Sequence, residues 1–87
     1  MIEKNVTVIN KSGLHARPAS MLVKQAGRFK ARINIKKAEK NYDAKSILGI
    51  LSAGISCGTE ITLICDGEDE AEAIKSLTEL IEAGLGE

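Results

Sequence analysis

The chain has 87 residues and a formal net charge of zero, and 44% of its residues are hydrophobic but only 2% aromatic. This length suits one domain, residues 1–87, with a core of aliphatic side chains. No apolar run approaches the roughly 20 residues that cross a bilayer, and no signal-peptide pattern opens the chain, so we expect no membrane insertion. Two cysteines, Cys57 and Cys65, do not make a disulfide framework, and free thiols favour the reducing cytoplasm.

Seven elements are predicted in the order βαββαβα. Val6 and Val8 alternate with polar residues in the first strand, and Ala19, Val23 and Ala26 recur at helical spacing in the first helix. The predicted elements are strand 3–9, helix 16–26, strand 31–36, strand 41–44, helix 46–53, strand 60–66 and a helix that begins within 68–72 and continues to Gly84. One antiparallel sheet covered on a single face by helices would bury both kinds of apolar pattern, which predicts an α+β domain.

Charge is distributed unevenly along the chain. Residues 4–38 contain nine basic residues and no acid, whereas residues 60–87 contain nine acids and one base, Lys75. The two halves either neutralise each other across the fold, or the basic half forms a docking face for an acidic partner. Direct nucleic-acid binding is not expected, because one Phe and one Tyr offer little stacking and no RNA-binding motif is present.

The only histidine, His15, lies just before the first predicted helix. Unpaired N–H groups and the positive end of the helix dipole favour an anion at this position, and they disfavour a charged imidazolium. Arg17 follows two residues later and can contact the same anion. A nucleophile, an anion cradle and a cation within three residues therefore predict a site that accepts a phosphoryl group.

His15 also allows three other interpretations: a helix cap, a metal ligand and a catalytic residue in hydrolysis. A histidine at a helix start can simply cap the helix, with Arg17 solvated. No second histidine or nearby carboxylate supplies a metal site, and no Ser/His/Asp set points to hydrolysis. We therefore expect neither a metal nor another cofactor.

Two segments resemble the HPr family, the histidine-containing phosphocarriers of the bacterial sugar phosphotransferase system. Residues 13–19, GLHARPA, look like the family's active-site motif, and residues 45–51, KSILGIL, match the regulatory segment of HPr from Gram-positive-type bacteria. The tail 84–87 is similar too, so the resemblance covers the whole chain. It implies an open-faced β-sandwich, with four antiparallel strands and three helices on one face.

The resemblance also implies roles and partners. His15 would take a phosphoryl group from phospho-enzyme I, as a pros-phosphohistidine, and pass it to the enzyme IIA components of sugar permeases. Arg17 would stabilise the phosphate. Such a protein is a relay without enzymatic activity of its own and binds no cofactor. We expect a monomer, although no sequence motif indicates the oligomeric state.

Ser46 carries the second implied site. On the sequence alone, a serine at a helix start is usually a cap. The resemblance implies instead that HPr kinase/phosphorylase phosphorylates it. Phosphoserine at position 46 would then hinder phosphorylation of His15 and favour binding to catabolite control protein A, which leaves DNA as an indirect partner only.

A docking surface is predicted beside these two sites. In the first helix, Ala16, Ser20 and Lys24 share one stripe with Met21 alongside, and in the middle helix Ile50 is expected in the core. The remaining apolar residues there, Ile47, Leu48 and Leu51, cannot all be buried and are predicted to contact partners. Two rivals stay open: a paralogue that only binds a repressor, which would be expected to lack His15, and a carrier of a nitrogen-related branch.

Overall fold

The computed structural model describes residues 1–86, and its elements follow the predicted order. The elements are β1 (Ile2–Thr7), α1 (Ala16–Ala26), β2 (Arg32–Lys37), β3 (Lys40–Asp43), α2 (Ile47–Ser52), β4 (Glu60–Asp66) and α3 (Glu70–Glu82). The bounds of α1 and β4 agree with the predictions. Helix α2 is one residue shorter than predicted at each end, and α3 begins within the predicted range but ends at Glu82, before Gly84.

The four strands form one antiparallel sheet in the order β1-β4-β2-β3. Alternate residues of the two central strands point into the core, among them Ile33 and Ile35 of β2 and Leu63 of β4. Helices α1 and α3 pack on this face through Leu22 and Leu77, which are both fully buried. The α+β class and the open-faced β-sandwich are therefore confirmed.

The first strand was predicted to reach Ile9, but it ends at Thr7. Thr7 pairs with Glu60, the first residue of β4, so the ladder has no further partner. Val8 stays buried and bonds the neighbouring loop instead, donating to the Thr59 carbonyl at 3.0 Å. Ile9 is left 54% exposed. The apolar alternation thus predicted burial correctly and strand length incorrectly.

The hairpin between β2 and β3 turns over Lys37–Lys40, as predicted, but both strands extend one residue further into the turn than predicted. The third strand begins at Lys40 and not at Asn41, so Ala38 and Glu39 alone form the loop. Both have positive φ, 49° and 69°, as a two-residue type I′ turn requires. Neither residue is a glycine or an asparagine, the residue types that adopt positive φ most readily.

The ion pairs within residues 1–86 join the N-terminal amine to Asp66 and Glu70, at 3.7 and 2.9 Å. None of them joins a lysine or arginine side chain to a carboxylate. Direct pairing therefore does not neutralise the basic half within this part of the chain. Apart from Lys37, whose ammonium binds two backbone carbonyls, its cations are therefore available to an acidic partner.

Among the same residues, no helix is both long and apolar enough to cross a membrane. Both cysteine thiols are free; Cys57 is exposed in a loop and Cys65 is buried in β4. Burial in the apolar core raises the pKa of Cys65 to about 11.

Candidate functional site

His15 is the N-cap residue of α1, as the sequence predicts. Its backbone is extended, with φ −81° and ψ −171°, and its carbonyl accepts the first helical hydrogen bond from the Ala19 N–H at 2.9 Å. Its side chain is exposed and makes no capping hydrogen bond to the helix. The interpretation of His15 as a helix cap therefore finds no support in the geometry.

The first turn of α1 directs backbone N–H groups toward the position of an incoming anion. The amides of Ala16 and Arg17 precede the first residue that can bond back into the helix, and Pro18 has no N–H to leave unsatisfied. Pro18 and Ala19 are buried, which anchors this turn in the core. The helix dipole adds a partial positive charge at the same end. An anion beside His15 thus meets two amides and a favourable field.

A second loop holds the chain that enters α1. The Leu14 N–H donates to the Ile55 carbonyl at 2.9 Å, and the Asn10 side-chain amide donates to the Gly13 carbonyl. Gly13 has φ +66°, and a Cβ there would overlap the Ile55 carbonyl and lie 2.7 Å from the Ser56 Cα. Only glycine fits this contact. In the sequence, Gly13 is recognisable only as part of the GLHARPA segment, and no local pattern indicates the support from residues 55 and 56.

Arg17 is exposed at the second helical position, two residues after His15. No carboxylate of residues 1–86 lies within ion-pair distance of its guanidinium. The guanidinium is therefore not engaged by an acid in this part of the chain, and it can bind oxygens of a phosphoryl group.

Ser46 is the N-cap of α2, and its hydroxyl accepts from the Gly49 N–H at 3.0 Å. The capping interpretation of this serine is therefore correct, and it does not conflict with a regulatory role. There is little room around Gly49, because a Cβ at this position would lie 3.2 Å from the Asp43 carbonyl oxygen. Ser46 itself is half-buried.

The predicted docking surface is exposed. Leu48 is 80% exposed, whereas Ile50, expected in the core, is fully buried. We call docking surface the seven exposed residues predicted to contact partners: Ala16, Ser20, Met21, Lys24, Ile47, Leu48 and Leu51. Helices α1 and α2 pack against each other, so the two parts of this surface belong to neighbouring elements.

Comparison with known proteins identifies the family of this chain. A sequence model described as the HPr component phosphorylation site of the phosphotransferase system matches residues 2–83. The chain belongs to the HPr family. It is accordingly a phosphoryl carrier and not an enzyme.

Relatives of this chain include proteins named HPr and proteins named HPr-like protein Crh. The HPr-like protein Crh of Halalkalibacterium halodurans is 49% identical over 94% of this chain and 98% of its own. The phosphocarrier protein HPr of Treponema pallidum is 37% identical over 94% of this chain and 93% of its own. Identity with the Crh relative is thus higher than with this phosphocarrier.

Solved structures support the fold throughout. HPr of Thermoanaerobacter tengcongensis superposes with a TM-score of 0.97 at 47% identity, over 100% of this chain and 98% of that one. A structure described as an HPr dimer from the same organism matches with a TM-score of 0.80 at 47% identity, with both chains fully covered. The expected monomeric state therefore stays a prediction.

Proposed function

We propose that this chain accepts a phosphoryl group on His15 from phospho-enzyme I and donates it to the enzyme IIA components of sugar permeases. The observation that carries this proposal is the exposed imidazole at the N-cap of α1, next to two backbone amides and Arg17. The carrier character of the family supports it.

In the proposed step, an unprotonated ring nitrogen of His15, the pros nitrogen, attacks phosphorus. A bond between nitrogen and phosphorus forms while the bond from phosphorus to the donor atom of enzyme I breaks, and the other ring nitrogen keeps its proton. The amides of Ala16 and Arg17 and the Arg17 guanidinium stabilise the negative oxygens of the transferring group. No bound cofactor takes part in this step.

Incubation with enzyme I and radiolabelled phosphoenolpyruvate tests the acceptor. We expect an acid-labile, base-stable label on the wild type and no label on His15→Ala. Arg17→Ala should label at least about tenfold more slowly, since removing a donor to a developing oxyanion costs this much or more. Arg28→Ala is the matched control, because it removes an exposed arginine outside the site. Label that persists in His15→Ala refutes the assignment.

We further propose that Ser46 is the substrate of HPr kinase/phosphorylase, and that its phosphorylation slows transfer to His15 and favours binding to catabolite control protein A. A helix start tolerates added negative charge, so the modification should not unfold α2. Ser46→Asp should therefore slow labelling of His15 and leave the melting temperature nearly unchanged. Ser46→Asn is the neutral control, since asparagine also caps helices. Equal labelling rates for both variants would leave Ser46 as a structural cap only.

The docking surface is proposed as the contact for enzyme I and the enzyme IIA components. Its exposed apolar side chains, with Arg17 and Lys24 beside them, suit an acidic partner with an apolar centre. Leu48→Ser should raise the apparent KM for transfer without lowering stability, because Leu48 is exposed. Ile9→Ser, another exposed apolar residue outside this surface, should leave transfer unchanged.

A second candidate function is repressor binding without relay, which the similarity to proteins named Crh favours. The presence of His15 favours the relay. The labelling assay separates the two, and transfer to sugar-specific enzyme IIA proteins separates the sugar branch from a nitrogen-related one. We also propose a monomer in the cytoplasm, where the thiols stay reduced. Size-exclusion chromatography with light scattering tests the oligomeric state.

A further inference from the structure

A polar cleft lies where β2 begins and where β3 and β4 end. Its volume is about 560 Å³, within the range of small-molecule sites. The residues that line it are Lys30, Arg32, Ile33, Asp43, Lys45 and Asp66. None of them belongs to the docking surface or to the His15 site, so a ligand in the cleft would not occupy either.

The cleft has one more cation than carboxylates among its lining residues, while the Asp69 carboxylate accepts from the backbone N–H of one of them. The cleft is lined by three cations and two carboxylates, and each of these two carboxylates already has a partner. Asp66 lies 3.7 Å from the N-terminal amine, and Asp43 accepts from the Lys45 N–H at 2.9 Å. By contrast, neither Lys30 nor Arg32 has a carboxylate of residues 1–86 within ion-pair distance. An anion that enters the cleft meets Lys30 and Arg32, which form no ion pair with an acid in this part of the chain.

The walls of the cleft are held in place by hydrogen bonds. The Asp69 carboxylate accepts from the backbone N–H groups of Lys30 and Ala31 at 2.9 and 2.8 Å. The Lys45 ammonium donates to the Phe29 carbonyl at 2.7 Å. A site whose backbone is already ordered loses less entropy when it binds a ligand.

We propose that this cleft binds a small phosphate ester that carries free hydroxyl groups, such as a phosphorylated sugar. The Arg32 guanidinium presents paired donors that match phosphate oxygens, and Lys30 adds a point charge. The two carboxylates can only accept hydrogen bonds, so the part of the ligand next to them must donate, as hydroxyl groups do. They also repel a second anionic group, which disfavours polyanions.

Titration of the ¹⁵N-labelled protein at constant ionic strength tests the proposal. Ribose 5-phosphate, inorganic phosphate and ribose serve as probes, and the amide shifts of Lys30, Arg32 and Lys45 report binding. We expect saturable shifts with ribose 5-phosphate, weaker binding of inorganic phosphate and no shift with ribose. Shifts that grow linearly with concentration, or that potassium chloride reproduces, would overturn the site. Equal affinity for the ester and for inorganic phosphate would refute the proposal that the carboxylates accept hydrogen bonds from hydroxyl groups of the ligand.

Variants locate the binding. Arg32→Gln should lower the affinity for ribose 5-phosphate at least about fivefold, because it removes a charge-assisted contact to phosphate. Lys36→Gln is the matched control: it neutralises an exposed cation of the same strand, on the same face but outside the cleft. Equal weakening in both variants would show general charge attraction and refute the cleft. Asp66→Asn should reduce the preference for the ester over inorganic phosphate. None of these measurements involves His15, so their failure leaves the relay proposal intact.

Discussion

The ammonium of Lys37 supports the C-terminal end of α2 from the neighbouring strand. Lys37 is the last residue of β2, and its Nζ donates to the Ala53 carbonyl at 2.8 Å and to the Gly54 carbonyl at 3.1 Å. Carbonyls at a helix end have no partner within the helix, and the negative end of the dipole attracts a cation. Lys37→Met removes this support but keeps most of the aliphatic stem.

The size of the effect follows from these two contacts. Hydrogen bonds that involve a charged group contribute roughly 1.5–3 kcal/mol. The contact to Gly54 is exposed, so water replaces much of it, whereas the contact to Ala53 is partly buried. We therefore expect a loss of about 1–2 kcal/mol in the free energy of unfolding. For a domain of this size, the melting temperature should fall by about 5–10 °C.

Urea unfolding and thermal unfolding, each followed by circular dichroism, measure this loss. Lys36→Met is the matched control, because Lys36 is exposed on the opposite face of the strand and should change stability by less than about 0.5 kcal/mol. Native-state hydrogen exchange should also accelerate at the Ala53 and Gly54 amides, which close the last turn of α2. If Lys37→Met and Lys36→Met are equally stable, Lys37 does not stabilise the end of α2.

Three further predictions concern the hairpin, acid stability and the thiols. The double variant Ala38→Asn/Glu39→Gly should raise the free energy of unfolding by about 1–2 kcal/mol, since both residues adopt positive φ; an unchanged urea midpoint would contradict this. The backbone N–H of Lys30 is the main cause that holds the pKa of Asp69 below its ordinary value. This stabilisation is present above the ordinary pKa of about 4 and is lost as pH falls through the lower pKa of the folded state, so Asp69→Asn should flatten the decline of the urea midpoint below about pH 4; parallel curves would refute it. Ellman's reagent at pH 8 should modify only the exposed thiol of the native protein and both thiols in urea, because Cys65 is buried and its pKa is raised to about 11; two fast-reacting native thiols would contradict the packing.

Local pattern predicted most of the elements because the relevant forces act over a few residues. Apolar alternation placed β4 at Glu60–Asp66, and helical spacing placed α1 at Ala16–Ala26. The position of His15 at the helix start and the burial of Ile50 also followed from spacing. Errors occurred where a partner distant in sequence sets the boundary: β1 ends at Thr7 because β4 offers no further residue to pair with.

The class of fold, the order of its elements and the prediction of a phosphoryl-accepting site at His15 all follow from the sequence, since periodicity and helix-end chemistry are local properties. The tertiary structure decided the strand order, the Lys37 contact with α2, the close approach of Gly13 to residues 55 and 56, and the cleft at the sheet end. Each of these joins segments far apart in the chain. Such contacts depend on the free energy of packing between distant segments, and this packing produces no periodic pattern in the sequence.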